Sequence, residues 1–254
     1  ISRFSDQAIL KIDRKTQDTD PAVQYNPLIL NVSDTSLLSL NSVIRNSIFF
    51  NRSNPKWGFD LNFNDSRNKI LLLTGFDSRS LVDYGLRIRW NLSKVINLSL
   101  SLKDGDKELT SEISPTRNYR IESQKISPKL SIQPNTKYRI TLFYDWWAKN
   151  NAASLGGEKS LSQEIGTEFR FAKLKKGNLN GKISYIGIKY IGAENSPRYF
   201  EMLDGLKAGS NITWQISFQK HLNENMQLSI NYNGRKSEDI NMIHTGGVQV
   251  RAMF

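Results

Sequence analysis

Along residues 81–94, apolar and polar positions alternate strictly. Val82, Tyr84, Leu86, Ile88, Trp90 and Leu92 share one parity, while Asp83, Gly85, Arg87, Arg89, Asn91 and Ser93 share the other. Successive strand residues point to opposite faces, so this spacing predicts a strand with one apolar and one wet face. A helix would set Val82, Leu86 and Arg89 side by side and mix the two. The same pattern returns in Ile96–Lys103, in Tyr138–Trp146 and in Ile212–Gln219. It returns again in Met226–Asn233 and in Trp57–Asn64. A slip of one residue would carry Arg87, Arg89, Arg139, Asp145, Glu164 and Glu168 onto the apolar face, so the pattern specifies register strongly.

Other segments are less regular. Leu161, Ile165, Phe169 and Phe171 oppose Glu164, Glu168 and Arg170, and Leu38, Leu40, Ile44, Ile48 and Phe50 form an earlier strand. Ile183 and Tyr185 lie in a strand whose face the pattern leaves unassigned. Tyr119–Gln133 changes phase near Ser123, where a bulge is expected. Ala8–Lys15 is a candidate first strand. The count is about twelve strands, with residues 1–36 read as a first strand plus a long connection and the whole of 1–254 as one domain.

Short connections are expected at Asn51–Asn54, Ser93–Val95, Pro134–Lys137, Lys173–Asn178 and Leu222–Asn225. Longer polar ones fall between them at Ser66–Arg79, Asp104–Thr116, Lys149–Lys159, Gly192–Ser210 and Gly234–Ile243. Within the longest, Pro197–Leu206 is suited to a short helical turn. Short turns on one side and longer loops on the other are the habit of outer-membrane barrels, whereas Greek-key sandwiches have no reason to sort their loops. Counting back from Phe254, every short turn falls on the periplasmic side. The expected fold is therefore all-β, an antiparallel up-and-down transmembrane β-barrel. Twelve strands suit a closed barrel, and suit equally the C-terminal part of a larger one.

Composition narrows this. No apolar run reaches the ~18 residues of a transmembrane helix, and the mean hydropathy is −0.48, a value that a barrel with one wet face also gives. With no cysteine, disulfides, thiolate metal sites and cysteine nucleophiles are excluded. A formal charge of +11 points to an anionic partner. The phosphates of lipopolysaccharide fit, beside outer-membrane lipid. Nucleic acid is not expected, because no zinc-finger or RNP-like pattern accompanies the charge. The chain opens on Ile1 without a charged-then-apolar leader, which leaves open a removed leader and a piece of a longer protein.

The chain ends Gly246-Gly247-Val248-Gln249-Val250-Arg251-Ala252-Met253-Phe254, with Val248, Val250, Ala252 and Phe254 on one face. This resembles the terminal insertion signal of outer-membrane barrels, although Ala252 stands where an aromatic is common. The resemblance implies a bacterial outer-membrane location and recognition by the barrel-assembly machinery. The runs Ser42–Asn46, Asn51–Lys56, Glu201–Leu206, Gly234–Ser237 and His244–Gly246 further resemble large surface proteins of the Bacteroidota. That resemblance implies a C-terminal barrel region on a much longer protein and carries no activity residue by residue.

Trp90 near the short-turn end and Trp146, Trp147 and Trp214 near the other are expected to form interfacial aromatic belts. Arg87, Arg89, Arg139, Asp145, Glu164 and Glu168 are expected to face a charge-balanced lumen. Lys173, Lys175 and Lys176 read as a solvated turn. Catalytic chemistry finds little support. His221 and His244 have no metal-ligand spacing, and His244 with Ser237 lacks the arrangement of a lipase triad. Neither Gly156-Gly157 nor Gly246-Gly247 makes a phosphate-cradling loop. No cofactor and no enzymatic activity are expected. Three roles remain: a membrane anchor or subunit associated with other outer-membrane proteins, a solute pore, and a soluble β-protein that binds acidic polymers.

Overall fold

The computed structural model describes residues 3–14, 37–173, 177–194, 196–223, 225–238 and 240–252. Twelve strands form one antiparallel sheet in sequence order, the up-and-down barrel architecture that the alternation predicts. They are β1 (Arg3–Arg14), β2 (Leu37–Phe50), β3 (Trp57–Leu72), β4 (Gly75–Asn91), β5 (Ile96–Ser111) and β6 (Tyr119–Ile132). Then follow β7 (Tyr138–Asn151), β8 (Lys159–Lys173), β9 (Gly177–Ile191), β10 (Gly209–Asn223), β11 (Met226–Ser237) and β12 (Ile243–Ala252). One short helix, α1 (Pro197–Met202), lies between β9 and β10. Among the described residues no pairing joins β1 to β12.

Register converts the sequence parity into two continuous faces. Trp57 pairs with Trp90, Trp90 with Leu98, Leu98 with Leu130 and Leu130 with Leu142. The row continues through Thr167, Ile183 and Trp214. Directly opposed residues share a face, so these side chains, and the rows two residues away, build one apolar outer surface. Among them Leu61, Ile88, Ile140, Leu142, Ile165, Ile183, Ile212 and Ile216 are all exposed. The row begins beside a short turn at Trp57 and arrives at Trp214 well inside β10. That stagger is what tilted strands in a barrel require. Ile183 and Tyr185, unassigned from the sequence, lie on the outer face opposite Trp214 and Ile212.

All connections at one end are short, as expected. At the other end the described connections are shorter than the polar segments suggested, because the strands run on. β3 and β4 stay paired from Trp57–Trp90 to Leu72–Gly75, leaving a turn of Leu73 and Thr74 in place of the long loop expected over Ser66–Arg79. Beyond the apolar girdle Asp65 and Arg67 enter the outer face, and Ile70, Leu71 and Leu72 follow one another at the hairpin end, so the period-two signal fades while the backbone ladder continues.

The expected bulge at Ser123 is absent. The β5–β6 register runs without a shift from Ile96–Ile132 to Leu109–Tyr119. The apparent change of phase has another cause. In the lower half of β6 the apolar residues Ile126, Leu130 and Ile132 face outward. In the upper half Tyr119 and Ile121 face inward and are buried against the loop that carries α1, while Arg120 and Glu122 take the outer face. Pro128 interrupts the β6–β7 bridging between Ile126–Trp146 and Lys129–Phe143, since it has no N–H to donate.

Three glycines let aromatic rings lie flat across the neighbouring strand. A Cβ on Gly234 would sit 2.1 Å from the Trp214 ring, one on Gly181 2.1 Å from Phe169, and one on Gly166 2.5 Å from Phe143.

Candidate functional site: a plugged, charged interior

The segment between β9 and β10 folds into the concave face. Helix α1 starts with Ser196, whose Oγ accepts a hydrogen bond from Tyr199 N at 3.0 Å, and Pro197 occupies the first turn. It ends at the left-handed pair Asp204 (φ 52°) and Gly205 (φ 75°). The helical turn expected at Pro197–Leu206 is thus present, but as a plug and not as a surface loop.

The plug supplies the apolar core that a barrel wall alone lacks. Met202 packs with Leu109, Tyr119 and Ile121, while Tyr199 and Leu203 pack with Ile186 and Ile188. Those wall residues come from β5, β6 and β9 and all point to one side, so the sheet curls around the helix. Tyr190 and Tyr199 meet edge to face at 5.0 Å.

Ion pairs latch the plug on several sides. Lys149 on β7, only 5% exposed, places Nζ 2.9 Å from both carboxylate oxygens of Asp204. Lys107 on β5 bonds Glu201. Arg198 donates to Glu158 Oε1 at 3.0 Å and to Thr116 O at 3.3 Å. Glu158, itself 4% exposed, also accepts from Asn151 Nδ2 at 2.6 Å. From β11, Arg235 donates to Gly205 O at 3.3 Å. Buried charges are stable only when paired and hydrogen-bonded, a condition that Lys149 and Glu158 meet through the plug. Sequence reading missed these residues. Their only signal was a run of charged residues in segments taken for loops.

A cavity of about 130 Å³ lies beneath the plug, lined by Trp147, Lys149, Asp145, Glu164, Met202 and Leu203 among others. Lys125 pairs with Asp145 at 2.9 Å, and Lys182 with Glu164 at 2.9 Å. The predicted lumen charges all occupy the inner face. Arg87 lies opposite Asp60 and Ser101, and Arg89 opposite Gly58 and Ser99. Arg139 lies opposite Arg170, Asp145 opposite Glu164 and Glu168 opposite Thr141. The expected charge balance holds near the plug and fails nearer the short turns. There Arg87, Lys103, Lys129, Arg139 and Arg170 outnumber Asp60 and Glu168 among the inward side chains.

On the outer face, Trp90 stands beside Trp57 at the short-turn end, and Trp146 and Trp214 lie toward the other. Further rings join each level, with Phe50 at 5.7 Å from Trp57 and Tyr138 at 5.0 Å from Phe171 below, and Phe63 at 5.1 Å from Tyr84 above. Trp147 is the exception to the expected belts. It follows Trp146 directly in a strand and so points inward, where Lys149 and Lys125 lie over its ring at 3.8 and 4.9 Å. In the terminal strand Val248, Val250 and Ala252 pair with Ile230, Leu228 and Met226 on the outer face. Phe254 lies outside the described residues.

No family model matches the chain, and no curated protein matches it. Among solved structures, the β domain of the Bordetella autotransporter BrkA matches with a TM-score of 0.39 and 11% sequence identity. The match covers 85% of this chain and 91% of that one.

Proposed function

We propose that this chain is a bacterial outer-membrane β-barrel that acts as a membrane anchor or subunit of a larger outer-membrane assembly, without enzymatic activity of its own. The observation that carries the reading is the division of one sheet into two faces. The outer face is apolar across a girdle edged by aromatic rings, and the inner face is polar and filled at the long-loop end by the chain's own plug. Hydrocarbon satisfies the first face, and a plug held to the wall by several ion pairs suits a scaffold better than an open channel.

The edges of β1 and β12, which have no strand partner among the described residues, add the assembly element. Unpaired strand edges are costly in lipid, where no water serves the free backbone groups. The β1 and β12 edges are therefore surfaces where further strands pair. The resemblance to large Bacteroidota surface proteins agrees with such a setting, and the basic charge suits lipopolysaccharide phosphates. Insertion by the barrel-assembly machinery follows from the terminal strand.

Extraction of native membranes in mild detergent tests this reading. Co-purification with other outer-membrane proteins is expected, and recovery only as a lone monomer contradicts it. A second reading, a solute pore, is favoured by the charged interior below the plug. Planar-bilayer recording separates the two, because the scaffold shows no steady conductance while its plug is intact.

A further inference from the structure

Below the plug the inner wall carries positive charge that the wall itself does not neutralise. Arg87, Lys103, Lys129, Arg139, Arg170 and Arg251 stand at inward positions on β4, β5, β6, β7, β8 and β12. All but Lys129 are exposed, and none of the six forms an ion pair among the described residues. Their counterparts nearer the plug, Lys125, Lys149 and Lys182, are each paired with a carboxylate. Charge is thus sorted along the barrel axis. At the long-loop end Lys107, Lys125, Lys149, Lys182 and Arg198 each meet a carboxylate, with Arg79 and Arg235 as the exceptions, and the plug fills the interior, while the short-turn end is a basic vestibule bordered only by short turns.

Resting on the outer-membrane reading above, we propose that this vestibule is a docking site for an acidic, extended polypeptide segment presented from the short-turn side. The spread of the basic groups selects a polymer over a small anion. Adjacent strands are about 4.8 Å apart, so Arg87 on β4 and Arg170 on β8 are separated by roughly 20 Å around the wall, more than one phosphate spans. The neutral lining of the same inner face, on β5, β9, β10 and β11, selects a peptide. Ser101, Asn180, Ser217 and Asn231 offer neutral hydrogen-bonding groups to a peptide backbone. An aromatic platform for bases or sugars is not offered by Phe143, whose ring lies under Lys182 and Lys129 at 4.7 and 5.5 Å. Carboxylates spaced along such a segment gain from several fixed cations at once, in a concave site where field lines are focused.

The full chain is inserted in lipid nanodiscs, with embedding scored separately, and a fluorescently labelled peptide of alternating Glu and Ser is titrated into it. Saturable binding that weakens steeply with salt is expected, and about tenfold weaker binding in the triple variant Arg87→Gln, Lys129→Gln, Arg170→Gln. Lys189→Gln, on the outer face of β9, leaves the affinity unchanged. Unaltered binding by the triple variant, equal binding of a Lys–Ser peptide, or displacement by inorganic phosphate as readily as by unlabelled peptide each overturns the proposal. Loss of binding in the rim variant Lys94→Gln, Lys137→Gln without loss in the triple variant also overturns it, by moving the contact to the turns. An embedded chain that ignores the peptide defeats the vestibule alone, whereas failure to embed defeats the membrane reading.

Discussion

The ammonium of Lys149 and the carboxylate of Asp204 meet symmetrically, Nζ lying 2.9 Å from each oxygen. One residue comes from the wall and the other from the end of the plug helix, 55 positions later in the chain. The lysine is nearly inaccessible, while the aspartate side chain is 51% exposed. The pair is therefore asymmetric in its dependence. Asp204 can fall back on water, and Lys149 cannot.

Asp204→Ala is expected to loosen the plug more than Lys149→Met. The first leaves a buried lysine without its counter-charge, and breaking a buried pair from one side typically costs about 3–5 kcal/mol, reduced here by the exposure of the partner. The second removes the buried charge and leaves an apolar chain of similar length. Limited proteolysis across residues 192–208 reads the difference, with faster cleavage in Asp204→Ala. Equal rates in both variants would contradict this account of the latch.

Gly234→Ala is expected to displace the Trp214 ring, since the added Cβ would sit 2.1 Å from it. Overpacking of this kind costs about 1–3 kcal/mol. The change appears as a shift in tryptophan emission together with a lower melting temperature. Gly187→Ala serves as the control, because a Cβ there meets nothing within 4 Å.

Much of this fold is legible in the sequence, and the reason is physical. Where one face meets a uniform apolar surrounding and the other does not, the pattern has a period of two whatever else the strand does. That is why β4, β5, β7, β10 and β11 stand out. Legibility failed where the surroundings changed along a strand. β3 beyond Phe63 keeps pairing although its alternation has gone. β6 exchanges its apolar face at the height of the plug, which imitates a bulge. Trp147 was grouped with Trp146 by residue type, although adjacent strand residues cannot share a face. Of the plug only the helical turn at Pro197–Leu206 is legible, because its charged partners are scattered over β5, β7, the loop before β8 and β11.

A charge on the outer girdle should cost far more than the same charge inside. Leu86→Arg faces outward and should destabilise the membrane-embedded protein by about 2–4 kcal/mol. Ser101→Arg faces inward beside Arg87 and should cost less than 1 kcal/mol, roughly the size of a surface change. Urea unfolding in lipid vesicles gives both values, and equal costs would contradict the assignment of faces.

The absence of cysteine allows single labels to be placed one at a time along β4, from Tyr84 to Trp90. Spin labels at these positions in reconstituted membranes report contact with oxygen, which concentrates in lipid, and with a water-soluble nickel complex. A period of two is expected: positions 84, 86, 88 and 90 favour oxygen, and 85, 87 and 89 favour nickel. Labels at the apolar positions that are shielded from both reagents would place protein, and not hydrocarbon, over that face and contradict the membrane assignment.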